Sequence, residues 1–394
     1  MTMRLAREFD MFCLALRVPQ QPQDAAALRN AIAAMPDWNA IVKGTRRHRL
    51  APRVLAGLQA CGAPGIPDTV IKALRRQSAT AVQRDLAQTA EIVRLMRRFA
   101  DAGVRVLVLK GAVLSAQLHD GAYPRGARDI DLLVDPACSA QAHALLGAAG
   151  YRSLHPAQSP AQGEAYRWAI KDVEYVRIAG GGMVELHDRL TDNPNLLPCD
   201  FEVLWRERET VELGECQIHT LARERLPLYL AAHGASHAWE RLRWLVDLAA
   251  ALRAPGSVEA ALAAADANGL DAAMRHALLL AHDWLGLAVA ARVLAQARAN
   301  MRVQRLDRIL AHLYADAAWQ QAPRRATWQG FVRYSIWQRL YRLSLKADGR
   351  YRMRQMRREW FSPNDWDVVR LPDALIFLYP VIRPIGWLLR RRRR

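Results

Sequence analysis

The chain has 394 residues, enough for two or three domains at roughly 150 residues each. Hydrophobic residues make up 52% and charged residues 24%, which excludes wholesale disorder and collagen-like repeats. The formal charge of +18 is uneven: residues 301–394 hold 21 Lys and Arg against 7 Asp and Glu, and the remainder is close to neutral.

The first 25 residues do not read as a signal peptide, because the apolar stretch from Met11 to Leu16 is short and Asp10 precedes it. Residues 1–103 read as a helical region. Its clearest helix, over 79–102, places Leu86, Thr89, Val93 and Met96 on one face and stops at Gly103. Val104 to Leu109 is β-branched and apolar, a buried strand, and Lys110-Gly111 opens a helix running to about His119. Asp129 to Val134 is a second strand, followed by a helix from Ser139 to about Ala149. Tyr166 to Ile178 and Met183 to Asp188 read as two more strands around a glycine turn. Residues 104–190 thus form a compact mixed sheet, 191–300 a helical bundle, and 301–394 a basic helical region with a tail. Five scattered cysteines without a CxxC pair suit neither zinc nor a disulfide framework and read as small core residues in a reducing cytosol.

Chemistry concentrates in the sheet. Asp129 and Asp131 are two apart on a strand, so they project from one face while Ile130 points to the other. Carboxylates that close repel each other, and a divalent cation removes the cost. Hard oxygen ligands on a rigid strand suit Mg²⁺ bound together with the phosphates of an NTP. Glu185, in Val184-Glu-Leu-His187, is the best third carboxylate for a two-ion site. Lys110 and Gly111 bring a cation and a helix N-terminus to one point. Arg125 and Arg128 flank the Asp pair, where a guanidinium would clamp a triphosphate. His187 either touches a substrate phosphate or orders its strand.

These motifs resemble a known group. Leu107-Val-Leu-Lys-Gly111, Arg125-x-x-x-Asp-Ile-Asp-Leu-Leu-Val134 and Val184-Glu-Leu-His187 look like the uncharacterised bacterial nucleotidyltransferase family of the DNA polymerase beta-like superfamily. Kanamycin nucleotidyltransferase and the minimal nucleotidyltransferases are relatives in that superfamily. The resemblance extends to Arg46-Arg-His-Arg-Leu-Ala-Pro52, His233-Gly-Ala-Ser-His237 and Arg241-Leu-Arg-Trp-Leu-Val-Asp247, and covers about residues 35–290. It implies an α+β fold: a polymerase-beta-like mixed sheet between N-terminal helices and a C-terminal helical bundle. It further implies Asp129, Asp131 and Glu185 as metal ligands, Lys110-Gly111 as the phosphate-facing turn, and NMP transfer from an NTP to an unidentified acceptor. The superfamily usually has Gly-Ser or Gly-Gly where this chain has Lys110-Gly111. A second reading is a degenerate nucleotide-binding or regulatory, antitoxin-like partner protein, against which retention of all three carboxylates argues.

His233 and His237 are spaced for one helical face and read as lining the cleft rather than as zinc ligands; Asp247 reads as a structural ion pair with Arg241 or Arg243. In the tail, Ala374 to Leu389 is broken by Pro380, Arg383 and Pro384 and falls short of the roughly 18 apolar residues of a spanning helix. The five closing arginines behind it favour an anionic membrane surface over nucleic acid, which Arg350, Arg352, Arg354, Arg357 and Arg358 would otherwise suit. The expected location is cytoplasmic, peripheral at the inner face of the membrane.

Overall fold

The computed structural model describes every residue except 1–6, 18–20, 63, 120–123, 158, 181, 316–318, 321–327, 364–365, 367–370, 380 and 383–394. Arg390 to Arg394, on which the membrane expectation leans, lie outside the described residues.

The N-terminal region is helical, with α1 (Arg7–Leu16), α2 (Pro22–Ala33), α3 (Trp38–His48), α4 (Ala51–Ala60) and α5 (Asp68–Asp101). Asp37 caps α3 by accepting from the N–H groups of Asn39 and Ala40, and Arg49 closes it in the left-handed region at φ 55°. At 34 residues α5 is about 50 Å long. Gly103, at φ +69°, ends this excursion as expected, with the Val104 N–H returning to the Phe99 carbonyl. The expected apolar face is corrected: Leu86 is exposed, and the buried stripe is Gln88, Ile92, Leu95 and Phe99. Those residues step by four, three and four, an equally good helical period, and the sheet's apolar face selects them over the other stripe.

The sheet follows: β1 (Val106–Val108), α6 (Ala112–His119), β2 (Asp129–Val134), α7 (Ser139–Ala148), β3 (Tyr151–Ser153), α8 (Pro160–Ala169), β4 (Asp172–Arg177) and β5 (Met183–His187). The strand order is β1-β2-β5-β4-β3, with β2 and β5 parallel and the other pairs antiparallel. This is a mixed sheet in an α+β fold. The expected long strand from Tyr166 is corrected to a helix and a shorter strand. Ser159 caps α8 through the Gln162 N–H, and Pro160 sits at its first position.

Ile130, Leu132 and Val134, with Val184 and Leu186, form one sheet face and pack on Ile92, Leu95 and Phe99 of α5 and on Ala142 and Leu146 of α7. The period of two then commits Asp129, Asp131, Glu185 and His187 to the opposite face.

Residues 191–300, expected to form a helical bundle, open with α9 (Phe201–Glu207) and a hairpin, β6 (Glu209–Leu213) and β7 (Cys216–Thr220). The Thr220 hydroxyl donates to the Val108 carbonyl at 2.7 Å, docking the hairpin beside β1. Helices α10 (Leu226–Ser236), α11 (Leu242–Ala251), α12 (Ser257–Ala267), α13 (Asp271–Leu285), α14 (Ala291–Ala299), α15 (Met301–Tyr314), α16 (Trp328–Ser344) and α17 (Gly349–Glu359) follow. One apolar cluster joins Phe9 and Phe12 of α1 to Trp239, Tyr314, Tyr341 and Tyr351. Cys13 and Cys61 belong to it, whereas Cys199 is exposed, contrary to the core reading.

Among the described residues no helix is long and apolar enough to cross a membrane. Tyr379, near the start of the apolar tail block, is buried with Tyr166 of α8 and Trp366, while Phe377 and Val381 are exposed. Two of the arginines considered for nucleic acid are engaged internally: Arg354 donates to the Trp168 carbonyl at 3.0 Å, and Arg358 to Ala169 at 2.8 Å and to Asp192.

Helices α1 and α4 touch at backbone level, since a Cβ on Gly57 would lie 2.0 Å from the Ala15 carbonyl oxygen. No rotamer relieves that contact. Gly57→Ala is therefore expected to cost about 1–3 kcal/mol, read as a lowered urea midpoint with an unchanged slope.

Candidate active site

Strands β2, β5 and β4 lie side by side and carry acidic residues at matching register. Asp131 pairs with Glu185 across β2–β5, and Glu185 with Glu174 across β5–β4, so three carboxylates stand in one row. Asp172 stands opposite His187, one row along. Ligand atoms of Asp131, Glu185 and His187 fall within 4.8 Å of one another, as do those of Asp172, Glu174 and Glu185. Among the described residues Asp129 belongs to neither group; it lies two residues toward the start of β2 on the same face, half-buried.

Two lysines hold this row together. Lys110, at the end of β1, places Nζ 2.7 Å from Asp131 Oδ1, and Lys171, just before β4, lies 2.8 Å from Asp172 and 3.9 Å from Glu185. His187, fully buried, sets Nε2 at 3.3 Å from Asp131 Oδ1 and 3.4 Å from Glu185 Oε2. Burial works against a charge on Asp131, yet Lys110 and His187 hold its carboxyl well below the usual range. Burial and the neighbouring Asp131 push Glu185 up. Burial and Lys171 oppose a charge on His187, but its contacts with Asp131 and Glu185 prevail and raise it. The site thus holds one firmly ionised carboxylate beside one that is easily protonated.

Gly111 sits at φ +74°, and a Cβ there would meet the Gln88 side-chain oxygen at 2.4 Å. Gln88 accepts from the Ala112 N–H at 3.2 Å and donates to the Asp129 carbonyl at 2.7 Å. The first turn of α6, expected to face phosphate, is thereby capped by α5. Above the row, α10 presents Tyr229, whose ring is 5.9 Å from Lys110 Nζ, and His233. Burial and nearby cations hold His233 well down and His237 at about 3, so both stay neutral at pH 7. Their rings pack tilted against each other, and Trp244 meets His233 edge-on and His237 at a tilt, which agrees with a lining role.

Arg125 is a correction. It is buried, and its Nη2 donates to Asp247 Oδ2 at 2.5 Å, so the guanidinium expected to clamp a triphosphate anchors the loop before β2 onto α11. Asp247 is structural as expected, but its partner is Arg125 rather than Arg241 or Arg243. Arg128 is exposed beside Asp129, and its backbone N–H donates to Asp129 Oδ1 at 3.2 Å. Lys171, Asp172 and Glu174 escaped the sequence reading. Their signal, a Lys-Asp-x-Glu alternation beside the Asp-x-Asp strand, was present but submerged in an over-long strand.

A family model described as an uncharacterised nucleotidyltransferase matches residues 34–286. The chain belongs to this nucleotidyltransferase family. It is therefore a transferase whose substrate includes a nucleotide. No curated protein and no solved structure gives a significant match. In this nucleotidyltransferase the acidic row, the Arg125–Asp247 anchor and the α10 lining all fall within the matched segment.

Removing one partner of the Arg125–Asp247 pair leaves a charge buried. Asp247→Ala should cost about 3–5 kcal/mol in urea unfolding, and Arg125→Met with Asp247→Leu should recover most of it. Asp131→Asn takes a negative charge from His187, so the ring's pKa in the folded protein should fall. The stabilisation from its charged form, complete below the unfolded imidazole value and lost as pH rises through the folded one, then disappears earlier. An NMR titration of His187 in EDTA reads the midpoint; an unmoved midpoint would show that Asp131 does not hold the ring.

Proposed function

We propose that this nucleotidyltransferase moves NMP from an NTP to a hydroxyl or similar acceptor, using a divalent cation held by Asp131 and Glu185 with Asp129 beside them. The observation that carries the reading is the row Asp131–Glu185–Glu174, buried or half-buried across three strands, with Lys110, Lys171, His187 and His155 against it. Ligand atoms of Asp131 and Glu185 lie within 4.8 Å of each other beside the His187 ring, and such hard carboxylate oxygens suit Mg²⁺. When bound, Mg²⁺ would neutralise phosphate charge at this point. In the transfer the acceptor oxygen bonds to the α-phosphorus, the bond to pyrophosphate breaks, and the acceptor proton passes to a carboxylate. Glu185, whose carboxyl is pushed up by burial and by Asp131, is placed to take that proton. His187 orients both carboxylates through Nε2. Lys110 neutralises Asp131 and stands ready to turn toward phosphate. A cavity of about 650 Å³ near the start of β2 is lined in part by Gln88, Glu91, Ile130 and Arg177, on the α5 side of the sheet and apart from the acidic row.

Two observations favour the second reading, a nucleotide-binding regulator without catalysis: Gln88 occupies the first N–H of α6, and Lys110 is tied to Asp131. Labelled NTPs with Mg²⁺ and cell extract separate the two. Transfer should appear with the native chain, vanish in EDTA, and fall at least ~100-fold in Asp131→Asn and Glu185→Gln. Equal labelling by native chain and Asp131→Asn would favour the regulator.

A further inference from the structure

Four arginines outside the acidic row converge on its Asp129 end. Arg49 comes from the junction of α3 and α4, Arg128 from the residue before β2, Arg241 from the residue capping α11, and Arg243 from the first turn of α11. The junctions that gather them are specific. His48 Nδ1 accepts from the Leu242 N–H at 3.1 Å, Arg241 Nη1 donates to the Arg47 carbonyl at 2.6 Å, and Arg243 Nη1 reaches the Arg125 carbonyl at 3.5 Å. Arg49 lies within electrostatic reach of the other three and of Asp129.

The cluster is charged beyond its own needs. Arg47 pairs with Glu240 and Arg125 with Asp247; these two carboxylates also act on Arg241 and Arg243, so with Asp129 six arginines share three carboxylates. Arg243 is buried, and its Nε has no hydrogen-bond partner among the described residues. No hydrogen bond holds the guanidinium of Arg49 or Arg128 among the described residues. Burial and mutual repulsion lower Arg49 to about 9 and Arg243 to about 10, a cost that a bound polyanion would remove. Guanidinium groups with open N–H donors match phosphate oxygens in charge and geometry. Asp129 lies about 7 Å along β2 from Asp131, a length that adjoining phosphates of one chain can span.

We propose that Arg49, Arg128, Arg241 and Arg243 form a polyphosphate-binding subsite that takes the β- and γ-phosphates of the nucleotide and the departing pyrophosphate. The assignment of that anion to a nucleotide rests on the transferase reading above. The subsite stands in for the α6 N-terminus, which Gln88 caps.

Calorimetric titration with inorganic tripolyphosphate in EDTA, without nucleotide or metal, tests it. The native chain should bind. Arg49→Gln should weaken binding about 10-fold or more, Arg49→Gln with Arg128→Gln further, and Arg49→Lys less than Arg49→Gln. Asp129→Asn should bind as tightly as the native chain or tighter, since it removes the local negative charge. Thermal melting of each variant separates lost binding from lost folding. Unchanged affinity in the folded double variant overturns the subsite, even if the native chain transfers label. Arginine-dependent binding by a chain that transfers no label upholds the subsite and removes the transferase reading. A short single-stranded RNA that binds through the same arginines, and that tripolyphosphate fails to displace, also overturns it.

Discussion

The structure depends on carboxylates kept together inside the protein, where each ionised group loses its hydration. Asp131 and Glu185 face each other across parallel strands, and Glu174 extends the row. Such a row folds only if cations are built in at fixed points. Lys110 arrives from the end of β1 and Lys171 from just before β4, while His187 Nε2 lies within 3.4 Å of both central carboxylates. The sheet's order follows from the same need, because the β2–β5 pairing is what sets Asp131 beside Glu185. The helices behind the sheet supply the apolar packing that keeps this register rigid.

Arginine is used in two distinct ways. Arg125, Arg354 and Arg358 are tied to Asp247, Trp168, Ala169 and Asp192, and they join elements distant in sequence. Arg49, Arg128, Arg241 and Arg243 bring surplus charge to one end of the acidic row. On the readings proposed above, the site has an acidic half for a hard cation and a basic half for an anion. That polarity is what a metal-dependent reaction of a phosphate ester requires. The net charge of +18, concentrated in the last quarter of the chain, says little about this local balance.

Much of the sheet was legible because strand and helix periods are local. Asp129–Val134 and the helix ending at His119 stand where the pattern put them. Errors came where two local patterns competed. The stripe with Leu86 and the stripe with Ile92 are both helical, and only the sheet's apolar face chooses between them. Tyr166 to Ile178 contains β-favouring residues throughout, but Ser159-Pro160 starts a helix there, and the strand begins only at Asp172. Reading one long strand hid Lys171, Asp172 and Glu174. The hairpin from Glu209 to Thr220 was missed for a related reason: its strands are short, and the alternation of Val211 with Leu213 and of Cys216 with Ile218 is only two apolar residues long in each.

By itself the sequence determined that Asp129 and Asp131 share a face, that Glu185 and His187 share another strand's face, and that Lys110-Gly111 joins a strand to a helix. Each follows from geometry within a few bonded residues. Only the tertiary structure decided which charges meet. Arg125 and Asp247 are 122 residues apart, and Lys110 and Asp131 are 21 apart. Nothing in the spacing predicts either pair, because a charged side chain takes whichever partner packing brings within reach. For that reason Asp129, Asp131 and Glu185 were readable in advance, and the pairing of Lys110 with Asp131 and of Arg125 with Asp247 was not.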